Sequence, residues 1–221
     1  MLGELLPQFE KDTGHRVSVT FGPVGALTDR ITKGEATDVA IVSDQQIDEL
    51  QNSGKVVAGT RWVVARTGVG AFARKNSQKP DISSVDAFKR ALLAARAVTY
   101  ADPASGGAGG IYVSHLMERL GLSAEMTQKT KLDPRGGKLI YQLVANGEAD
   151  LGFDQMSIIL AQPTVEFVGP LPEPIQRYTT FAAGIGAASS QAEIGRVFIT
   201  YLTSPTAKAR LRASGLLLGE T

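Results

Sequence analysis

Short apolar runs alternate with amphipathic helical patterns along this sequence, and that alternation constrains the fold more than any other feature. Residues 39–42, 97–100 and 151–153 are apolar runs of strand length. Residues 111–120 and 138–145 carry apolar side chains at helical spacing. Strands alternating with helices are typical of α/β proteins whose sheets are mostly parallel. The sequence therefore predicts an α/β fold with mostly parallel sheets flanked by helices.

Two irregular stretches divide this pattern. Residues 76–82 are polar and contain a proline, and residues 169–174 contain three prolines. They predict a first part of lobe I over residues 1–77, lobe II over 78–168, and a crossover with a return to lobe I over 169–221. Open parallel sheets bind ligands at the carboxyl ends of their strands, so we expect a site at such strand ends.

Composition excludes several classes of function. The formal net charge is +1, which gives no electrostatic case for binding nucleic acid. There is no cysteine, so disulfides and thiolate chemistry are excluded, and the two histidines, His15 and His115, are far apart in the sequence. We predict no catalytic residue set, no metal and no cofactor. No apolar run reaches the roughly 20 residues of a membrane span, which argues against membrane insertion. Glu4 and Glu10 interrupt the first stretch, so no signal peptide is visible.

The most distinctive local feature is the glycine-rich segment at residues 102–110. It follows a predicted strand, precedes a predicted helix, and contains Ser105, Gly109 and Gly110. Glycines let backbone N–H groups point inward without a Cβ in the way, and the helix N-terminus adds a positive dipole. The segment predicts an anion pocket, and the alternative is a flexible glycine turn. No Gly-Lys-Ser/Thr follows, so it is not a nucleotide P-loop.

Two further junctions repeat this strand–loop–helix design. Arg135 and Gly137 precede the predicted helix from Lys138, and Arg135 could make a bidentate contact with a carboxylate. The alternative for Arg135 is a solvated surface side chain. Residues 21–27 form the other junction, where the backbone amides of Val24 and Gly25 could face a ligand.

Polar residues also end a predicted strand. Residues 151–153 are followed by Asp154 and Gln155, and polar groups at a strand's carboxyl end often touch ligand. The alternative is that Asp154 caps the next helix.

Two short segments that both begin Gly-Glu-Ala carry a resemblance to a known family. Gly-Glu-Ala-Thr-Asp-Val occupies residues 34–39, and Gly-Glu-Ala-Asp-Leu-Gly occupies residues 147–152. With these, the chain resembles the periplasmic molybdate-binding proteins of ABC importers, which have the type II periplasmic binding-protein fold. The resemblance covers nearly the whole chain and extends over residues 5–11, 21–27, 34–41, 102–112, 147–152 and 198–215.

The resemblance implies a periplasmic protein that holds a small anion in a cleft between two lobes and passes it to the membrane subunits of an importer. It places backbone donors near Gly109 and Gly137. A serine expected in the family is Val24 here, and the tyrosine position is Gln155, so an organic carboxylate is favoured over a bare oxyanion. The implied ligand-binding residues are Val24, Gly25, Ser105, Gly109, Gly110, Arg135, Gly137 and Gln155.

A departure from the family concerns the first strand. Family chains begin with a strand that precedes the helix starting here at Leu2, so we expect this chain to be a divergent member without that strand. We expect residues 16–21 and 39–42, both predicted strands, to pair directly or to receive a strand from a partner. Lobe I should then be the less stable half.

Three functions follow from the sequence. The first is a solute-binding protein of an ABC-type importer. The alternative is an isomerase of a small unsaturated tricarboxylate such as aconitate, in which Asp154 or Tyr112 would move the proton. The third is a paralogue that binds nothing tightly.

Overall fold

The computed structural model describes residues 2–22, 24–105, 108–134 and 137–217. The chain divides into two compact units. Unit 1 comprises Met1–Arg66 and Thr179–Thr221, and unit 2 comprises Thr67–Tyr178. Unit 2 is longer at both ends than the predicted lobe II. The physical reason is strand pairing, because residues 69–74, which the sequence assigned to lobe I, pair with strands of unit 2.

Unit 1 packs helices against a short antiparallel pair of strands. Strand β1 lies antiparallel to β7, with Val39 opposite Ile185 and Ser43 opposite Phe181. Phe9 of the first helix is fully buried and meets the ring of Phe198 edge-on at 5.0 Å between centroids. The elements of unit 1 are α1 (Leu2–Thr13), α2 (Val24–Thr32), β1 (Val39–Ser43), α3 (Asp44–Asn52), the start of β2 (Trp62–Arg74), most of β7 (Tyr178–Ile185), α9 (Ala192–Leu202) and α10 (Pro205–Ala213).

Unit 2 is built on a mixed sheet of five strands. Their order across the sheet is β6 (Val165–Pro170), β2 (Trp62–Arg74), β5 (Leu151–Gln155), β3 (Val98–Ala101) and β4 (Thr130–Asp133). Phe88 and Phe153 meet edge-to-face in its core, with ring centroids 5.7 Å apart. Its elements are the rest of β2, α4 (Val85–Ala94), β3 (Val98–Ala101), a 3₁₀ turn (Pro103–Ser105), α5 (Ala108–Arg119), α6 (Ser123–Lys129), β4 (Thr130–Asp133), α7 (Lys138–Ala145), β5 (Leu151–Gln155), α8 (Met156–Ile159), β6 (Val165–Pro170) and a second 3₁₀ turn (Glu173–Ile175).

The sheet contains fewer parallel pairs than the alternation of strands and helices predicts. β3 is parallel to β4 and β5, but β2 is antiparallel to β5 and β6. Helical crossovers make neighbouring strands parallel. β2 enters unit 2 directly from unit 1 without a helix, so it runs opposite to its neighbours. β2 is one continuous strand of 13 residues that belongs to both units.

The predicted strand at residues 16–21 is wrong. These residues form no regular structure, and none of their backbone groups bonds to the backbone of another described residue. The N–H of Val17 instead donates to the carboxylate of Glu10 at 2.8 Å. Phe21 is 72% exposed. Alternation of apolar and polar residues favours a strand only where a neighbouring strand supplies hydrogen bonds, and here none is paired to it.

Candidate functional site

The carboxylate of Asp154, at the carboxyl end of β5, lies between two glycine-fronted helix N-termini in unit 2. A Cβ placed on Gly109, in the first turn of α5, would lie 3.4 Å from one Asp154 carboxylate oxygen. A Cβ on Gly137, at the start of α7, would lie 3.8 Å from the other oxygen. The described parts of the two glycine loops therefore lie side by side, as their shared design predicts.

Close packing explains why glycine stands at the start of α5. A Cβ on Gly110 would lie 2.0 Å from the carbonyl oxygen of Ala101, the last residue of β3. Real contacts of this kind do not fall below about 3 Å, so only glycine lets the helix begin this close to the strand. The helix N-terminus is thereby held beside the strand end.

A buried aspartate organises the start of α7. Gly137 has a φ of +105°, which favours glycine, and its N–H donates to the Asp133 carboxylate at 3.0 Å. The N–H of Leu139 donates to the same oxygen at 2.6 Å. Asp133 is fully buried at the end of β4. These two bonds satisfy amides that a helix N-terminus would otherwise leave open, and they fix where α7 points.

The position of Asp154 is set by a tyrosine on α7. The hydroxyl of Tyr141 donates to Asp154 Oδ2 at 2.7 Å. The Tyr141 ring stacks on Phe72, with centroids 4.7 Å apart, and Phe72 in turn lies over Gly152 of β5. A side chain on Gly152 would collide with Phe72, so glycine at this position lets the two rings stack.

Burial dominates the electrostatics of this pair. Burial raises the pKa of Asp154, while the hydrogen bonds from Tyr141 and from the Gln155 N–H act in the opposite direction. Burial also raises the pKa of the Tyr141 hydroxyl, and the neighbouring Asp154 carboxylate adds to that rise. A carboxyl group with a raised pKa beside two positive helix ends can hold a proton or give it to a bound anion.

The other predicted ligand-binding residues are Gln155, Ser105, Val24, Gly25 and Arg135. Gln155 ends β5 and is the N-cap residue of α8, so Asp154 is not the helix cap that the alternative supposed. The N–H of Gln155 donates to Asp154 Oδ1 at 2.7 Å. Ser105 is in the same unit, but its hydroxyl donates to the carbonyl of Asp102 at 2.6 Å. Val24 and Gly25 begin α2 in unit 1. Arg135 lies outside the described residues.

Tyr112, the other acid–base candidate, is occupied elsewhere. Its hydroxyl donates to the carbonyl of Ile175 at 2.6 Å and accepts from Arg119 at 2.9 Å. Its hydroxyl makes no hydrogen bond with Asp154, whose partner is Tyr141. Of the two candidates, Asp154 is the one that lies beside Gly109 and Gly137.

Sequence reasoning missed Tyr141 and Asp133. Tyr141 stands among apolar residues on the buried face of α7, and a polar atom on such a face is the available signal that it has a buried partner. Asp133 precedes the glycine loop at the end of a strand that the sequence did not predict. Within the described ranges, no group of three or more acidic, histidine or cysteine side chains could hold a metal ion. None of the described helices is long and apolar enough to cross a bilayer.

Comparison with known sequences and structures decides the family. The profile of the bacterial extracellular solute-binding proteins matches residues 1–217. The chain belongs to that family. Its fold is that of the type II periplasmic binding proteins, as the sequence resemblance predicts, and the solute-binding function that the sequence predicts is confirmed at this level. The family also implies a small ligand and an ABC transporter as partner.

Individual relatives of this solute-binding protein include an isomerase and a molybdate-binding protein. An aconitate isomerase of a Pseudomonas species is 32% identical over 219 residues, covering 96% of this chain and 81% of that protein. The molybdate-binding protein ModA of Azotobacter vinelandii is 28% identical, covering 96% of this chain and 83% of that protein. A solved periplasmic molybdate-binding protein from the same organism superposes with a TM-score of 0.77 at 22% identity, covering 99% and 94% of the two chains.

Proposed function

We propose that this protein is the periplasmic solute-binding component of an ABC-type importer and that its ligand is a small organic carboxylate. The observation that carries the proposal is the position of Asp154 between the N-termini of α5 and α7, where Gly109 and Gly137 place no side chain beside its carboxylate. Helix N-termini attract anions through their N–H groups and their dipoles. At α7 the N–H groups of Gly137 and Leu139 already donate to Asp133, so we expect α7 to act on the ligand through its dipole and α5 through its N–H groups. Gly109, Gly110, Gly137 and Gln155 would line the ligand.

The character of Asp154 supports a carboxylate over a metal oxyanion. An ionised Asp154 would repel any anion bound beside it. A protonated Asp154 would share its proton with a bound carboxylate, because two carboxyl groups at one site titrate as a pair with one raised pKa. Burial already raises the pKa of Asp154 and so favours that state. Ligand binding then takes up a proton, and affinity falls as the pH rises.

Titration calorimetry tests the proposal with molybdate, sulfate, phosphate, citrate, succinate and the two aconitate isomers. We expect saturable binding of at least one organic acid, weaker at higher pH, and no tight binding of molybdate. Asp154→Asn keeps the shape of the side chain but removes its titration, so the pH dependence of affinity should disappear in that variant. Tight molybdate binding without a response to any organic acid would refute the carboxylate assignment.

A second candidate function is isomerisation of a small unsaturated tricarboxylate. Two observations favour it: the Tyr141–Asp154 hydrogen bond at 2.7 Å, and a relative at 32% identity that is an aconitate isomerase. Asp154 as a carboxylate would remove a proton from the carbon next to the substrate's double bond. The electron pair of that C–H bond forms the new double bond, the old double bond becomes single, and Asp154 returns the proton to the far carbon.

Proton NMR in D₂O separates the two functions. Each aconitate isomer is incubated with the protein, and both interconversion and deuterium incorporation are followed. Turnover that Asp154→Asn abolishes would establish the isomerase, and Tyr141→Phe should reduce it by removing the hydrogen bond that holds the carboxyl group. Binding of aconitate without exchange or interconversion would leave the protein as a binding protein only.

A further inference from the structure

The side-chain amide of Gln176 bonds to the backbone of β2 at the point where the pairing of β2 with β6 ends. That pairing reaches Gly70, which lies opposite Pro170, and the chain then leaves the sheet for the second 3₁₀ turn. The N–H of Val69, the next residue of β2, donates to Gln176 Oε1 at 2.8 Å. The carbonyl of Val69 accepts from Gln176 Nε2 at 2.9 Å. The amide thus supplies Val69 with an acceptor and a donor, as a neighbouring strand would.

The same amide also holds the segment that follows β6. Gln176 Nε2 donates to the carbonyl of Leu171 at 3.2 Å, and Gln176 Oε1 accepts from the N–H of Arg177 at 2.9 Å. With the two bonds to Val69, both donors and both acceptor positions of the amide are used. Val69 and Leu171 are buried, so their backbone groups would be costly to leave unpaired. The Gln176 amide therefore has one orientation that satisfies all of its partners.

Glycines on both sides of Val69 make room for this arrangement. A Cβ on Gly68 would lie 3.0 Å from Gln176 Cδ and 3.0 Å from Met156 Cε. A Cβ on Gly70 would lie 3.0 Å from Met156 Cγ. Side chains at these two positions would push the Gln176 and Met156 side chains away from the strand. The sequence Gly68-Val69-Gly70 is therefore explained by what lies against it, the amide of Gln176 and the side chain of Met156.

The backbone that Gln176 holds is paired with the residues of the candidate site. Val69 lies opposite Gln155, and Gly70 lies opposite Asp154, at one end of the pairing of β2 with β5. The backbone groups of Val69 are bonded to Gln176 and so face away from β5. In an antiparallel pair the next residue faces the other way, so the backbone groups of Gly70 face Asp154. Strand ends open more easily than strand centres, so a bond that fixes Val69 also stabilises the pairing at Asp154.

We propose that Gln176 is a positioning residue for the anion site: it holds the end of β2 against β5 and thereby keeps Asp154 and Gln155 in place beside the two helix N-termini. The proposal rests on the proposed function, because the site that Gln176 supports is the one proposed for the ligand. The hydrogen bonds of its amide go to backbone groups of Val69, Leu171 and Arg177. An effect of Gln176 on ligand affinity is therefore transmitted through β2.

Amide hydrogen exchange of the protein without ligand tests the positioning role. Gln176→Ala removes the four bonds, and we expect exchange about tenfold faster than in the wild type at Val69 and also at Asp154 and Gln155. Faster exchange at Val69 with unchanged rates at Asp154 and Gln155 would restrict Gln176 to a local structural role and overturn the proposal.

Thr60→Val is the matched control, because Thr60 makes a similar bridge in unit 1. Thr60 is buried, its Oγ1 accepts from the N–H of Ile185 at 3.2 Å, and it donates to the carbonyl of Val57 at 2.6 Å. We expect Thr60→Val to speed exchange at Ile185 and to leave Asp154 and Gln155 at the wild-type rates. Equal acceleration at Asp154 in the control and in Gln176→Ala would show general destabilisation and would also overturn the proposal.

Gln176→Glu adds a test by rescue, and it decides the matter if Gln176→Ala does not fold. At about pH 4 the new carboxyl group is mostly protonated and offers Val69 both a donor and an acceptor. At about pH 8 it is a carboxylate, which only accepts and would face the carbonyl oxygens of Val69 and Leu171. We expect exchange at Asp154 and Gln155 close to that of the wild type at the lower pH and faster than it at the higher pH. Wild-type rates at both pH values would overturn the proposal.

Calorimetry with the organic acid that binds the wild type best measures the effect on the ligand. We expect Gln176→Ala to bind about tenfold more weakly and Thr60→Val to bind as the wild type does. Unchanged affinity in a folded Gln176→Ala would overturn the positioning role. If the wild type binds no organic acid, the proposed function fails, and the exchange measurement still decides whether Gln176 holds Asp154 in place.

Discussion

Adding a single methyl group at either of two adjacent glycines should separate binding from folding. Gly109 and Gly110 both lie in the first turn of α5, but a Cβ meets different neighbours at the two positions. At Gly109 it would lie 3.4 Å from an Asp154 carboxylate oxygen, in the space proposed for the ligand. At Gly110 it would lie 2.0 Å from the backbone carbonyl oxygen of Ala101. We therefore expect Gly109→Ala to lose ligand and Gly110→Ala to lose stability.

The expected magnitudes follow from these distances. Alanine is better than glycine in a helix by up to about 1 kcal/mol, so Gly109→Ala should change the free energy of unfolding by no more than about that amount. Gly110→Ala forces α5 and the end of β3 apart by roughly 1 Å, and overpacking of this kind costs about 1–3 kcal/mol or more. For a chain of this size, about 1 kcal/mol shifts the Tm by about 2–4 °C.

Thermal unfolding and calorimetry with the best organic acid measure both effects. Gly109→Ala should keep its Tm within about 4 °C of the wild type but bind ligand at least tenfold more weakly, a change of about 1.4 kcal/mol. Gly3→Ala, on α1 with nothing within 4 Å of its Cβ, is the control for helix propensity alone. Unchanged affinity in a folded Gly109→Ala would refute the placement of the ligand beside Asp154.

Three further predictions concern the stability of the two units. The folded-state pKa of Asp154 is raised above its ordinary value of 3.8. Its contribution to stability is therefore present below pH 3.8 and is lost as the pH rises through the folded-state pKa. Urea unfolding at about pH 4 and about pH 8 should show the wild type losing stability relative to Asp154→Asn. Gly152→Ala would bring a Cβ to 2.1 Å from the ring of Phe72 and should cost about 1–3 kcal/mol in urea unfolding. Native-state hydrogen exchange should show faster exchange in unit 1 than in unit 2, because β1 is paired only with β7 among the described residues. Equal protection of the two units would contradict this.

Much of the fold could be read from periodicity. The helices α5 and α7 and the strands β1, β3 and β5 lie where apolar spacing predicts them. Periodicity failed where the outcome depends on a partner distant in sequence. Residues 16–21 have the alternation of a strand but no strand to pair with among the described residues.

The sequence predicts the glycine loops of the candidate site but not which side chains meet there. The glycines at positions 109, 110 and 137 were identifiable because glycine between a strand and a helix frees backbone amides. The hydrogen bond from Tyr141 to Asp154 was not identifiable, because the sequence around a buried tyrosine does not specify its hydrogen-bond partner. The position of the Tyr141 ring depends on Phe72, which reaches it only through the pairing of β2 with β5.

During synthesis, all of unit 2 has emerged before unit 1 is complete. Unit 2 is one contiguous stretch, Thr67–Tyr178, so all of its strands are available once that stretch has emerged. Unit 1 cannot be completed then, because β1 must wait for β7 and α1 for α9. Domains generally fold as units, and pairings between distant segments form slowly. Unit 2 should therefore fold first, while residues 1–66 stay unpaired until the last part of the chain arrives. During that interval the apolar face of α1 and the edge of β1 that later pairs with β7 are open to chaperones, proteases and self-association.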